Sequence, residues 1–247
     1  MPFTFAHPLY IAPLKSVKPA YFSLTGLCLG SMSPDFEYFI ALQPYQTIGH
    51  TFSGLIYQAI PMSIILAYLF HYVVKIPLAK NLPALGNLDH KVYSLVSDWK
   101  LNTIQSWLVF LVSIIIGFYS HILIDACTHY SGMFVTTFTV LRETVAGIPL
   151  YKWFQRSLSI IGLIIEALLF YHFFNKVKVS STYTGVAKKL KIVYWAIVLF
   201  CTFMTLALKL IFTSSTNYIG ITVVSPISGF MLGILIASIV YHGYTKK

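Results

Sequence analysis

Apolar runs punctuate this chain and set its architecture. Five of them, residues 55–74, 106–126, 158–174, 192–212 and 219–241, approach the ~20 apolar residues that a helix needs to cross a bilayer. Pro61 and Pro226 fall inside two of these runs and predict kinks. An earlier apolar stretch, residues 20–42, is rich in small residues that suit close helix packing, and Pro34 with Asp35 breaks it. Before it lie Pro2, Pro8, Pro13 and Pro19, which predict short helical pieces and turns. Residues 8–33 then read as a helical hairpin turning near 16–19, with a full crossing by residues 20–42 as the alternative. The link 75–103 holds Pro77, Pro83 and Gly86 and has room for a surface helix. Alternating ten-residue segments, the mark of a membrane β-barrel, are missing. The pattern predicts an all-α, polytopic transmembrane helical bundle in a single membrane domain over residues 1–247. It has five full spans plus an N-terminal helical hairpin, or six spans.

Composition agrees. Of 247 residues, 57% are apolar and 10% charged, against about 25% charged in a typical globular domain. The net charge of +10 does not point to nucleic acid, because the lysines sit in short loops between apolar runs. There they report topology and meet anionic lipid heads. With residues 20–42 counted as a crossing, one alternate set of loops holds thirteen basic residues: Lys15, Lys18, Lys75, Lys80, Lys91, Lys100, Lys176, Lys178, Lys188, Lys189, Lys191, Lys246 and Lys247. The other set holds three, Arg142, Lys152 and Arg156. The C-terminus is expected in the cytoplasm. Cys28, Cys127 and Cys201 lie in apolar runs without metal-ligand spacing and read as buried thiols. The opening residues lack the basic start of a cleaved leader.

Chemistry concentrates at Ser120–His129, where His121, Asp125 and His129 recur every four residues. At about 100° per residue they share one helix face. A His and a carboxylate one turn apart can grip a divalent metal. The blander reading is a hydrogen-bonded His–Asp contact between helices. Ionisable groups at membrane depth are costly and point to function. The basic-residue count places Asp35 and His50 on the same, outward side of the membrane as this face. Two carboxylates and up to three imidazoles at one depth suit zinc or manganese. Such an ion makes its water acidic enough to attack an ester. His7 joins them if the N-terminal hairpin forms. Glu37 is a candidate partner that orients Asp35 or accepts a proton. Glu166 stands alone in an apolar run and reads as a packing or protonated carboxyl. Glu143 with Arg142 reads as an interfacial ion pair. His71, His90, His172 and His242 read as interfacial.

Several segments resemble an uncharacterised bacterial membrane family whose chains open Met-Pro-Phe-Thr-Phe-Ser-His-Pro. They are residues 1–8, Gly30-Ser31-Met32-Ser33-Pro34-Asp35-Phe36-Glu37, Gly49-His50-Thr51, Ser120–His129 and Pro149-Leu150-Tyr151-Lys152. Ala6 stands where the family has Ser, and Cys127 where it often has an aromatic residue. The motif-bearing part covers residues 1–165, and 166–247 carry no recognised motif. More distantly, the order His, Pro-Asp, His, His-x-x-x-Asp resembles the YdjM-like inner-membrane proteins and the zinc-dependent phospholipase C fold. That resemblance implies a metal-dependent hydrolase in which His7, Asp35, His50, His121 and Asp125 are ligands, with His129 a ligand or a near neighbour. The second His-x-x-x-Glu pair of the phospholipases has no counterpart, since His172 and Glu166 lack that spacing. One or two ions, zinc or manganese, are therefore expected.

Two functions stay open. One is a hydrolase of a phosphoester or ester, possibly a lipid, in the bacterial plasma membrane, with Asp35 or Glu37 taking the proton of the attacking water. The other is a non-enzymatic membrane protein, a transporter or structural partner, in which the cluster relays ions or joins helices. Glu166, Lys209 and the kinked spans speak for the second. The charge asymmetry makes one outcome testable at once. A reporter fused after Lys247 is expected to be cytoplasmic, and one inserted near Thr216 external. Reversed reporters would invert the sidedness of the site.

Overall fold

A computed structural model describes residues 3–179 and 185–245. The described residues are mostly helical, with one two-residue ladder pairing Thr144–Val145 and Ile148–Pro149. Five helices are long and apolar enough to cross a membrane: Phe52–Asn81, Ile104–Thr137, Leu150–Lys176, Lys188–Phe212 and Tyr218–Thr245. Each outruns the apolar stretch that predicts it, because helical hydrogen bonding continues past the first polar residue. Lys75–Asn81, read from sequence as part of the link, is the last part of the Phe52–Asn81 helix. A short helix, Leu88–Ser94, follows within the link. Lys246 and Lys247 lie outside the described residues.

Residues 20–42 do not form a sixth span. Their longest helix, Leu24–Met32, has nine residues, about 14 Å at 1.5 Å per residue, against ~30 Å of hydrocarbon. A short helical turn at Ser33–Asp35 ends it where Pro34 enters, and Phe36–Ala41 follows. The N-terminal segment is equally broken, into Thr4–Ala6, His7–Ile11 and Leu14–Val17.

The chain divides into two compact units. The first comprises residues 1–36, 48–64 and 100–171. Its centre is the contact between Leu24–Met32 and Ile104–Thr128, made at backbone distance. A Cβ on Gly26 would lie 2.7 Å from the Phe110 carbonyl, one on Gly30 2.3 Å from the Ile114 carbonyl, and one on Gly117 2.5 Å from the Leu27 carbonyl. Small residues at a crossing let membrane helices touch along their backbones. Caps fix where each helix begins. Ser23 accepts from the Gly26 amide while its own amide donates to Ser113. Thr103 and Ser106 cap each other's amides at the start of Ile104–Thr128. Thr51 caps the Phe52–Asn81 helix by accepting from Gly54. Pro61 is accommodated by a widened π turn at Leu55–Ala59 just before it.

The second unit comprises residues 37–47, 65–99 and 172–247. Lys188–Phe212 and Tyr218–Thr245 pair closely there through Gly229 and Gly233, which abut the backbone at Cys201 and Val198. Lys191 donates to the buried Asp89 carboxylate and to the Leu82 carbonyl. Lys209 donates to the Ala41 carbonyl at 2.9 Å, so its ammonium satisfies a backbone acceptor at a helix end.

The Gly117 contact leaves no room for a side chain. Gly117→Val is expected to lower stability by about 1–3 kcal/mol through overpacking. Gly243→Ala, where an added Cβ meets nothing within 4 Å, is expected to be neutral. Thermal unfolding of the two detergent-purified variants would show the difference, and equal melting would refute the close-contact account.

Candidate metal centre

The first unit gathers His7, Asp35, His50, His121 and Asp125 from four separate pieces of chain. Ile104–Thr128 carries His121 and Asp125 one turn apart on its buried face. His7 opens the His7–Ile11 helix, and Asp35 ends the turn after Leu24–Met32. His50 sits in the turn before Phe52–Asn81, closed by the Thr51 amide and hydroxyl on the Ile48 carbonyl. His7, Asp35 and His121 are fully buried and Asp125 nearly so. The His50 side chain is 16% exposed and that of His129 31%, so the cluster opens toward these two.

Nitrogens and carboxylate oxygens face one another. His121 Nε2 lies 3.3 Å from Asp125 Oδ2 and 3.7 Å from Asp35 Oδ1. His50 Nε2 lies 3.2 Å from Asp125 Oδ2 and 3.7 Å from Asp35 Oδ1. His7 Nε2 is 3.8 Å from Asp125 Oδ1, and its ring stacks on His121 at 3.8 Å. Charge-assisted N–H···O bonds run ~2.7–2.9 Å; these separations are longer, and only that between His50 and Asp125, 3.2 Å, is a hydrogen bond among the described residues. Ligand atoms each ~2.0–2.2 Å from a common ion stand about 3–4 Å apart, which these separations match.

Tautomer and orientation are set from outside the cluster. His121 Nδ1 donates to the Ser31 carbonyl at 2.7 Å. The lone pair of the neutral ring is then on Nε2, directed at two carboxylates. Lone pairs facing carboxylate oxygens repel unless a proton or a metal cation lies between them. Thr4 donates to Asp35 Oδ2 at 2.6 Å and leaves Oδ1 toward the imidazoles. His7 Nε2, Asp35 Oδ1, His121 Nε2 and Asp125 Oδ1 are buried without a hydrogen-bond partner among the described residues. Such groups are rare in native structures and call for an explanation. Burial and the neighbouring His121 hold the His7 imidazole down at about 3, neutral and able to ligate. Burial pushes the Asp35 carboxyl above its ordinary range, against the pull of His121 and the Thr4 hydroxyl.

Two triads could each hold an ion, His7–His121–Asp125 and Asp35–His50–His121, with ligand atoms within 4.8 Å of one another. They share His121, whose other nitrogen is engaged by Ser31. The five residues would therefore serve either one ion or a carboxylate-bridged pair, with His121 on a single ion. His129 is in neither triad. Its Nδ1 sits 3.6 Å from Asp125 Oδ2 and 3.1 Å from the Asp125 backbone carbonyl, which places it on the rim.

The other polar residues lie elsewhere. Glu37 begins the second unit, and its carboxylate accepts from the Thr47 amide and hydroxyl. The residue that orients Asp35 is Thr4, which the sequence reading passed over although it stands in the opening motif. Ser31 was also passed over as a partner, because it acts through its carbonyl. Arg142 donates to the Val135 carbonyl and lies over the Tyr130 ring instead of pairing with Glu143. Glu166 faces the backbone of Leu9. In the second unit His71 stacks on Trp99, and His242 hydrogen-bonds the Val73 carbonyl.

The family model for DUF4184, a domain of unknown function, matches residues 1–241. The chain belongs to the DUF4184 family. The match runs past residue 165, through two helices without a recognisable polar motif. Neither curated proteins nor solved structures contain a match to this DUF4184 chain.

Thr4 gives a direct check on this geometry. Thr4→Val removes the hydrogen bond that the Thr4 hydroxyl donates to Asp35 and is expected to weaken divalent-metal binding about tenfold, as loss of an outer partner does. Thr4→Ser keeps the donor and is expected to bind as wild type. Chelator competition on the purified variants would measure both, and equal affinities for Val and Ser would remove Thr4 from the site.

Proposed function

We propose that this DUF4184 chain is a membrane-embedded, metal-dependent hydrolase of a phosphoester or ester, a lipid among the candidate substrates. The observation that carries the proposal is the buried His121 Nε2. Its tautomer is locked by Ser31, and it faces Asp125 at 3.3 Å and Asp35 at 3.7 Å without a hydrogen-bond partner among the described residues. His7, Asp35, His50, His121 and Asp125 would hold zinc, with manganese the alternative. When bound, such an ion supplies Lewis acidity, lowering the pKa of a coordinated water and polarising the ester oxygen. The protein's own part is positional. His7 and His121 close the buried side. The partly exposed His50 and His129 flank the side from which water and substrate enter. Asp35, with Oδ1 unpaired and Oδ2 held by Thr4, is the carboxylate placed to accept the water's proton.

The proposed location is the bacterial plasma membrane with the C-terminus cytoplasmic. Five crossings put the N-terminal segment opposite the C-terminus, so Lys15 and Lys18 join the outward set. The inward set still holds most of the basic residues. The competing reading, an ion relay or helix contact, loses Lys209 as support, because that ammonium is held by Ala41.

Dialysis of detergent-purified protein against chelator, re-supply with Zn²⁺ or Mn²⁺, and elemental analysis would test the metal. Wild type and His172→Ala are expected to retain one or two ions per chain, and His121→Ala and Asp125→Asn to retain almost none. Loaded wild type is expected to cleave bis(p-nitrophenyl) phosphate or p-nitrophenyl acetate. No retained metal, or equal retention in the ligand variants, would sink the metal reading. Bound metal with neither ester cleaved would sink the hydrolase.

A further inference from the structure

His7 is the one member of the cluster with neither ring nitrogen hydrogen-bonded among the described residues, so something other than its side chain must place it. The Leu150–Lys176 helix is mostly exposed along its length, with Tyr151 and Gly162 its buried residues. It meets the His7 segment at several points, Glu166 facing the backbone of Leu9 among them. The Phe3 amide donates to Ser159 Oγ at 2.9 Å, and the Tyr10 hydroxyl donates to the Leu158 carbonyl at 2.7 Å. Between them, a Cβ on Gly162 would lie 2.9 Å from the Ala6 Cβ and 3.2 Å from the Tyr10 hydroxyl. Ala6, adjacent to His7, is fully buried. The bonds at Phe3 and Tyr10 bracket His7 in sequence, and the glycine lets the backbones close between them.

We propose that Gly162 and Tyr10 are positioning residues for His7, and that the Leu150–Lys176 helix clamps the N-terminal segment at the depth where the His7 ring meets His121. The function of the clamp rests on the metal reading above, but its geometry does not. His7 stacks on His121, so a displacement of an ångström in the segment would take His7 Nε2 out of ligand reach. His121 and Asp125 stay where their own helix puts them. Gly162 variants therefore act on the site through the clamped segment, that is through His7 and through Thr4, which holds Asp35.

The test uses full-length protein in detergent with Co²⁺ as probe, read by chelator competition and by the visible spectrum of the bound ion. Gly162→Val and Tyr10→Phe are expected to bind Co²⁺ about tenfold more weakly and to alter its spectrum. Leu163→Val, on the exposed side of the same helix, controls for the β-branched residue and is expected to match wild type. In a background of His7→Ala combined with Thr4→Val, which removes both site contacts of the segment, neither variant should cost any further affinity, a non-additivity that a general loss of stability would not produce. Undiminished penalties in that background, or wild-type binding by both variants, would overturn the proposal. Hydrogen exchange of residues 3–11 without metal supplies a second readout, expected to be faster in both variants than in wild type. Should wild type bind no Co²⁺, the metal reading falls while exchange alone decides the clamp, and unchanged exchange would overturn it.

Discussion

Everything at the candidate centre depends on two backbones touching. Leu24–Met32 and Ile104–Thr128 approach so closely that Gly26, Gly30 and Gly117 admit no side chain. That approach carries the Ser31 carbonyl to within 2.7 Å of His121 Nδ1. It also sets Asp35, four residues after Ser31, across from His121 and Asp125. A methyl group between these helices would separate the donors by more than a metal–ligand bond can absorb. The glycines are thus part of the site's geometry, although none touches it.

The sequence made much of this legible, and the reasons differ by residue. The long spans showed themselves through uninterrupted apolar length. His121 and Asp125 were visible as a helical repeat of scarce polar residues. Asp35 and His50 joined them through a count of charges rather than through spacing. His7 depended on whether residues 20–42 cross, and the prolines at 8, 13, 19 and 34 had already limited those pieces to lengths that cannot. Thr4 and Ser31 were hidden for opposite reasons. A threonine hydroxyl near a chain start is too common to signal a partner. A backbone carbonyl has no identity in the sequence at all. Glu37 was read beside Asp35 from adjacency, and its carboxylate accepts from the Thr47 amide and hydroxyl. Arg142 and Glu143 were paired through nearness in sequence, whereas the guanidinium lies over Tyr130.

The two units handle ionisable groups differently. In the second, the Lys191 and Lys209 ammoniums meet the Asp89 carboxylate and the Ala41 carbonyl, although Asp89 Oδ1 and Asn81 Oδ1 are buried there without a hydrogen-bond partner among the described residues. In the first, buried nitrogens and oxygens stand opposite each other without such closure. Burying an unpaired polar group costs roughly 1–3 kcal/mol. A structure that keeps four of them together is less stable than the same fold with those positions apolar. Such a sacrifice marks sites more often than cores.

The order of the pieces along the chain has a consequence for biogenesis. His7, Asp35 and His50 leave the ribosome first, His121 and Asp125 more than seventy residues later, and Gly162 later still. Until the Ile104–Thr128 helix is in place, the early three lack His121 and Asp125, and until Leu150–Lys176 arrives, the segment carrying His7 lacks the contacts at Phe3 and Tyr10. The centre is therefore completed only when about two thirds of the chain has been made. A nascent chain truncated before that point would carry polar donors into the bilayer with nothing to satisfy them, which makes them a natural signal of incomplete assembly to membrane quality control.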